Sequence, residues 1–223
     1  TKAPASSSSA AAPAPASASA LGQVPSVLPA CRAVRVLGAA QVGGAPLTSG
    51  ALLTGSDWVT LRSGASVALK HSTSARELAI QGPALFRACW KGREQVLLVE
   101  GTITTTAGAG ARPGAEVLIA TPAAVVRYAD AELVLTLDRK QLKLEVRAGQ
   151  AEVEPVAFGK PPKGTFRAGP VTAKEKLTLP LGKPKPEELV ARCQEAAEAA
   201  EASARRVGDP SAPEPLGERA QAH

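Results

Sequence analysis

Histidine, the most frequent catalytic base, is scarce in this chain. The sequence contains His71 and His223 and no other histidine. A Ser-His-acid arrangement, or a nucleophilic Cys89, would need His71 as its general base, because His223 is the terminal residue. Residues 70–74 are polar, so we place His71 in a surface turn between strands, and no G-x-S-x-G motif accompanies it. We therefore expect no catalytic residue and a protein that is not an enzyme.

Carboxylates, glycines and thiols do not form a recognisable ligand site either. Glycoside hydrolysis needs a pair of carboxylates, whereas the acidic residues between positions 57 and 138 are scattered singly. The glycine-rich residues 107–114 lack the GxxxxGKS/T pattern of a phosphate-binding loop. Structural zinc sites usually contain close pairs of Cys or His, and this chain has no CxxC pair. We therefore expect no metal ion and no cofactor.

Three cysteines and two tryptophans are candidates for a structural or binding role. Two of Cys31, Cys89 and Cys193 are predicted to form a disulfide if the protein is exported, and the pairing is open. The alternative for each cysteine is a buried free thiol. Trp58 and Trp90 are candidate contacts with a protein or a sugar if they are exposed, and core residues if they are buried.

The positive charge of the chain is concentrated in one segment. The net charge is +6 and the isoelectric point is about 9.5. The excess lies mainly in the Pro/Gly-rich residues 159–185, which lack the interleaved aromatic side chains that stack on bases. We therefore expect a solvated basic loop and no nucleic-acid partner. No apolar run of about 18 residues is present, so no membrane span is predicted.

Short apolar-alternating runs, separated by glycine, dominate the middle of the chain. Such runs separated by Gly50, Gly55 and Gly64 predict strands joined by tight turns. In residues 142–146, Leu and Val alternate with Lys and Glu, as expected for a strand with one buried face. We predict an all-β fold, an antiparallel meander of about a dozen short strands forming a sandwich or a solenoid-like stack. The predicted strands are residues 32–37, 39–42, 47–53, 58–61, 66–70, 77–81, 84–90, 95–100, 102–106, 116–120, 124–128, 132–137, 141–146 and 150–153.

The segments that flank this region differ from it in composition. Residues 165–167 and 176–179 are possible additional strands. Pro186 suits the first position of a helix and Gly208 suits its end. The predicted organisation is an Ala/Pro/Ser-rich flexible tether (1–29), a β-domain (30–158), a basic Pro/Gly-rich extended segment (159–185), an amphipathic helix (186–207) and a disordered tail (208–223).

The apolar face of the predicted helix is small and rich in alanine. Its members are spaced by three or four residues, which places them on one side of the helix: Leu189, Cys193, Ala196, Ala200 and Val207. We expect this face to dock on the β-domain, and the alternative is a partner-binding or coiled-coil helix.

Several glycine-centred motifs resemble those of FecR-type domains. The spacing Gly50-x-x-x-Thr54-Gly55 is similar to the start of such a domain. The apolar strand that ends in Thr121-Pro122 is similar to a later strand of the same domain. The resemblance covers residues 32–154, but residues 130–133 differ from the Gly-Thr-x-Phe that the family often carries. The turns of the family motif are Gly50, Thr54, Gly55, Gly64, Gly101, Thr121, Pro122 and Gly149.

The resemblance implies an extracytoplasmic β-module that binds other proteins. The chain lacks the helical anti-sigma region, membrane span and trailing domain of full-length FecR regulators, so sigma-factor regulation is not implied. We expect a non-enzymatic bacterial envelope protein, periplasmic or associated with the outer membrane, that acts as a structural, protein-binding or assembly module with other envelope proteins. Since the chain begins at Thr1, we expect a trimmed N-terminus, with the lipid-modified residue of a lipoprotein before it. The alternative is a peptidoglycan- or polysaccharide-binding module, favoured by the basic segment and the tryptophans.

Overall fold

A computed structural model describes residues 30–71, 76–106, 116–156, 168–182 and 184–207. Four predicted segments lie outside these residues: the tether 1–29, the loop 107–114, the strand 165–167 and the tail 208–223. The described elements are β1 (Cys31–Leu37), β2 (Ala40–Val42), β3 (Ala45–Pro46), β4 (Leu52–Leu53), β5 (Val59–Leu61), β6 (Ser66–His71), β7 (Glu77–Ala88), the 3-10 helix η1 (Trp90–Gly92), β8 (Gln95–Thr105), β9 (Val117–Ala120), β10 (Ala124–Tyr128), β11 (Glu132–Leu137), β12 (Gln141–Ala148), β13 (Gln150–Pro155), β14 (Gly169–Thr172), β15 (Lys176–Pro180) and the helix α1 (Pro186–Val207).

The described strands form one hydrogen-bonded network, which confirms the all-β prediction with one C-terminal helix. Neighbouring strands pair antiparallel with one exception among the described pairs, since β8 and β9 run parallel. The network is therefore mixed, and the prediction of a purely antiparallel meander is wrong at that pair.

Two strands are longer than predicted. The breaks expected at Gly82-Pro83, between the predicted strands 77–81 and 84–90, and at Gly101, between 95–100 and 102–106, do not occur. β7 and β8 run through these positions as one hairpin. Their register shifts there: Gln81 pairs with Thr102 and Leu85 pairs with Glu100. Three residues of β7 thus lie opposite Gly101, as in an enlarged bulge, which bends a strand without ending it.

The bent β7–β8 hairpin is shared by two sub-sheets. The outer ends of the hairpin, residues 77–81 and 101–104, pair with β6 and β11 and form a first sub-sheet in the order β4-β1-β6-β7-β8-β11-β12-β15. The inner ends, residues 84–86 and 95–97, pair with β5 and β9 and form a second sub-sheet, β3-β2-β5-β7-β8-β9-β10-β13-β14. The inward residues of both sub-sheets join one apolar core, which gives the sandwich-like arrangement.

The helix α1 covers the outer face of the second sub-sheet. It packs against β8, β9 and β10. The four residues of β9 are all buried, whereas β11 alternates between half-buried and buried residues. Strands that are covered on both faces read as continuous apolar runs, and strands with one solvated face alternate. The helix therefore accounts for the change of pattern between these strands.

Two smaller predictions are corrected. The strand predicted over residues 47–53 is reduced to β4, because the Leu47 amide donates to Ala40 O across a loop at 2.9 Å. β14 was not predicted, and it forms by pairing with β13. The helix predicted over residues 186–207 has those bounds in the structure.

Candidate functional site

The glycines of the family-motif turns have structural roles. Gly50, Gly55, Gly64, Gly101 and Gly149 all have positive φ angles, which other residues adopt at a cost. Gly55 also makes a close approach, since a Cβ atom there would lie 2.6 Å from the Cα atom of Trp90. Gly50, Gly55, Gly64 and Gly149 shape loops, and Gly101 lies at the bulge inside β8.

Thr121 serves the backbone, whereas Thr54 contacts a neighbouring side chain. The buried Thr121 hydroxyl donates to Ala124 O at 2.7 Å and accepts from the Ala124 amide at 2.9 Å, so it closes the turn that contains Pro122. Thr54 Oγ1 lies 3.2 Å from Ser56 Oγ on the surface. A threonine bonded in this way to a nearby backbone is a turn residue.

The cysteines divide into one disulfide and one thiol. Cys31 of β1 is bonded to Cys89, which follows β7, so the bond joins the first sub-sheet to the second. Cys193 of α1 is reduced and buried, and its thiol lies 3.1 Å from Ala120 O as a hydrogen-bond donor. Burial raises the pKa of Cys193 far above its ordinary value. The Cys89 sulfur is in the disulfide, and burial disfavours the thiolate form of Cys193, which is the form that acts as a nucleophile.

Neither tryptophan is fully exposed on the surface, as a binding contact would be expected to be. Trp90 is buried, and the Lys91 ammonium lies 4.1 Å from the centre of its ring. Trp58 is half-buried, and the Arg87 guanidinium lies 4.8 Å from the centre of its ring. Because a cation covers part of each ring, little aromatic surface is open to a sugar. Polysaccharide binding stays a prediction, with Trp58 the more accessible of the two candidates.

The turn at residues 89–91 is bonded to β1 and contacts α1, the first and last elements of the described chain. Cys89 and Lys91 have φ angles of 58° and 52°, a region that costs about 1–3 kcal/mol for a residue with a side chain. Cys89 holds β1 through the disulfide, and the Lys91 ammonium lies 3.1 Å from the buried Glu201 carboxylate of α1. The disulfide and the ion pair together maintain this conformation.

His71 is not in a surface turn, which corrects the sequence prediction. It is the buried last residue of β6, and its Cα partner on β1 is Cys31. The prediction failed because polar neighbours were read as a loop, whereas pairing with β1 extends the strand through His71. Burial lowers the pKa of His71, and the Glu94 carboxylate opposes that shift.

Other buried polar side chains surround Glu94. The Arg76 guanidinium donates to Ala129 O and lies 3.8 Å from Glu94. Burial, then the charge of Glu94, raises the pKa of Tyr128 far above its ordinary value, so its hydroxyl stays protonated. Thr105 donates to Ala131 O at 2.9 Å. Within the described residues, no three His, Cys, Asp or Glu side chains are arranged to hold a metal ion. This cluster therefore fixes strand ends through internal hydrogen bonds and charge pairing.

An exposed apolar surface occurs on β1 and β4, and we call it the β1–β4 surface. It contains Leu37, Leu52 and Val34, whose exposed fractions are 55%, 58% and 39%. They are the large apolar side chains of the described chain that remain exposed. Leu52 pairs with Arg32, and Arg32 pairs with Lys70. Two basic residues therefore follow Leu52 across the three neighbouring strands β4, β1 and β6. A surface with apolar centres and basic neighbours is suited to contact with another protein.

The edge formed by β4 differs from the other edges of the two sub-sheets. Within the described chain, β3, β14 and β15 each pair with one neighbour, and they contain Pro46, Pro170 and Pro180. Proline lacks the amide donor, so it protects an edge from further strand pairing. β4 pairs with β1 alone in this part of the chain and contains two leucines and no proline. The proline-free edge therefore coincides with the exposed Leu52, whereas Leu37 lies at the far end of β1.

Sequence reasoning missed this surface, although one signal was present. In the first strand, Val34 has the same parity as Arg32, so it points away from the core where the small Ala33 points inward. A register shift between Ala33 and Arg35 then changes the parity and exposes Leu37. A bulge of this kind is not evident from the residue pattern.

Comparisons of the chain with protein-family models, with curated proteins and with solved structures find no match. The helices of the described residues include none that is long and apolar enough to cross a membrane.

Proposed function

We propose that the protein is a non-enzymatic component of the bacterial cell envelope whose FecR-like β-domain binds other proteins as an assembly module. The observation that carries the proposal is the β1–β4 surface, where the exposed Leu52 lies on a strand edge without proline and Leu37 and Val34 are exposed on the neighbouring strand. An unprotected edge can accept an added strand from a partner, and neighbouring apolar side chains then supply affinity.

The charges of this surface favour an acidic partner. Arg32, Arg35 and Lys70 are exposed around the leucines, and the acidic neighbour Glu77 lies 3.5 Å from Arg35. That ion pair is exposed on both sides and contributes little energy, so it can open for a partner. Carboxylates on the partner would speed the encounter and orient it.

The envelope location is supported by the disulfide. A buried bond between Cys31 and Cys89 fits an oxidising compartment such as the periplasm, where such bonds persist. The proposal of a lipoprotein depends on residue types in the tether 1–29 and on a modified residue before Thr1. A periplasmic or outer-membrane location follows from the same proposal.

The test is crosslinking mass spectrometry on the native protein in its own envelope. We expect crosslinks from Lys70 to a defined partner protein. The variant Leu37→Glu/Leu52→Glu should reduce these crosslinks about tenfold or more, because it removes both exposed apolar contacts. The control Thr178→Glu adds a charge to the exposed face of the edge strand β15 and should leave them unchanged.

The results can contradict the proposal in two ways. Crosslinks confined to the sequence of this chain would show that no other envelope protein binds this surface. Partner crosslinks that survive the double substitution would place the binding site elsewhere. An N-terminal peptide without a lipid, with the protein recovered in the soluble fraction, would remove the anchored form of the proposal.

A further inference from the structure

A groove lies between α1 and the edge of the second sub-sheet. Its volume is about 280 Å³. Its floor is apolar, with Val125 and Val156 from the sheet side and Ala196, Ala199 and Ala200 from the helix. Alanine side chains are too short to fill the space above β10, so the groove is a direct result of the small helix face.

The rim of this groove is acidic. Glu154 of β13 and Glu195 of α1 line it, and Glu152 and Glu198 are exposed on the same two elements. Arg127 is the cation beside it, and its guanidinium lies 3.0 Å from Glu154. Within the described residues, no basic side chain is within ion-pair distance of Glu195 or Glu198. This local negative charge contrasts with the net positive charge of the chain.

The size of the groove favours a side chain over a small molecule. Small-molecule pockets in proteins usually measure about 300–1,000 Å³, so this groove lies just below that range. Its apolar floor and acidic rim suit one or two aliphatic side chains with basic residues beside them. A second copy of this chain presents that combination, because Leu37 and Leu52 stand next to Arg32 and Arg35.

We propose that the groove of one copy binds the β1–β4 surface of a second copy. The two surfaces share no residue, so each copy can use both at once and the chains associate head to tail. Leu37 or Leu52 enters the groove, and the arginines meet Glu195 and Glu198. The apolar contact supplies most of the free energy of binding, and the opposite charges set the orientation. This inference rests on the proposed function, because it uses the same surface and names the partner as the chain itself.

Sedimentation velocity of the full chain over a concentration series tests self-association. The wild-type chain should form dimers and larger species as its concentration rises, and added salt should weaken the association. A wild-type chain that stays monomeric at every concentration and at low salt overturns this inference. Size measured at a single low concentration is insufficient, because a modest affinity would be missed.

Charge reversal locates the interface. The surface variant Arg32→Glu/Arg35→Glu and the groove variant Glu195→Lys/Glu198→Lys should each weaken self-association about 100-fold, because like charges then face each other. All four side chains are exposed, and circular dichroism should show that both variants fold. The control Arg139→Glu/Lys140→Glu in the exposed β11–β12 turn changes the net charge as the surface variant does and should associate like the wild type. Association that is unaffected by both interface variants overturns the inference.

Mixing the two variants provides the decisive measurement. The reversed groove of one variant then matches the reversed surface of the other, and their unaltered surfaces also match. An equimolar mixture should therefore recover wild-type association, and failure to recover it contradicts a head-to-tail interface. A monomeric chain that still crosslinks to another envelope protein keeps the proposed function and removes this inference. Self-association without any other partner keeps the head-to-tail interface and removes the proposed binding of other envelope proteins.

Discussion

The two ends of the described chain are attached to the β-domain in different ways. β1 is held covalently by the Cys31–Cys89 disulfide. α1 is held by noncovalent contacts, which are the buried face around Ala197 and Cys193, and the ion pair of Glu201 with Lys91. Both attachments meet at residues 89–91, although β1 belongs to the first sub-sheet and α1 packs on the second.

This difference explains why each end carries a different surface. A strand that is fixed by a disulfide and by β6 does not need to bury its outer face, so Leu37 and Val34 can remain exposed. A helix that is held without a covalent bond must bury one face closely, and small residues such as Ala196 and Ala200 allow that approach. The same small residues leave the acidic groove unfilled. The disulfide thus allows β1 to keep an exposed apolar surface. The small side chains that let α1 pack closely also leave the groove beside it unfilled.

Removal of the disulfide should have the largest effect. The bond closes a loop with a sequence separation of 58 residues, and the entropy of such a loop corresponds to about 4 kcal/mol at 25 °C. We expect Cys31→Ala/Cys89→Ala to lower the free energy of unfolding by about that amount in urea denaturation. Cys193→Ala, which removes a buried sulfur from α1 and no crosslink, should cost only about 1 kcal/mol. Equal losses in the two variants would contradict the contrast between covalent and noncovalent attachment.

Overpacking of the helix face should have an intermediate effect. Ala197 is completely buried against the second sub-sheet, so Ala197→Leu should cost about 1–3 kcal/mol. Hydrogen exchange should show faster exchange in α1 and unchanged exchange in β6. Ala191→Leu adds the same atoms at an exposed position of the same helix and is the control. Unchanged exchange in α1 of the Ala197 variant would mean that the helix does not depend on this contact.

The pH dependence caused by His71, at the end of β6 beside β1, should be the smallest effect. The folded-state pKa of His71 is lowered from its ordinary value of 6.5, so below that pH the unfolded chain binds more protons than the folded chain. Stability should therefore fall as the pH decreases through 6.5 towards the folded-state pKa. His71→Gln should remove this part of the slope of unfolding free energy against pH. His223→Gln removes the other histidine and should leave the slope unchanged, and equal slopes in all three proteins would refute the assignment.

Local sequence patterns predicted several elements well. α1 has the predicted bounds because Pro186 and the residues after it favour a helix whatever it packs on. β11 also has its predicted bounds, since its alternation reflects one buried face. The turns predicted at Gly82-Pro83 and Gly101 were wrong because glycine indicates an unusual backbone angle and does not distinguish a bulge from a turn.

The candidate surfaces were less predictable than the fold. Leu52 in the sequence reads as an ordinary strand residue, and its exposure depends on β4 being an edge. The groove depends on which strands lie beneath α1. A clue to that position exists in the uninterrupted apolar run of β9, because burial on both faces requires a covering layer.

The sequence by itself determined the all-β class, the helix, the positive-φ turns and a candidate set of three cysteines. Only the tertiary structure decided that Cys31 pairs with Cys89, that His71 is buried, and that β4 is an unprotected edge. The physical reason is the range of the interactions. Turn angles and side-chain alternation depend on neighbours along the chain, whereas disulfide pairing, strand order and groove shape depend on residues that topology alone brings together.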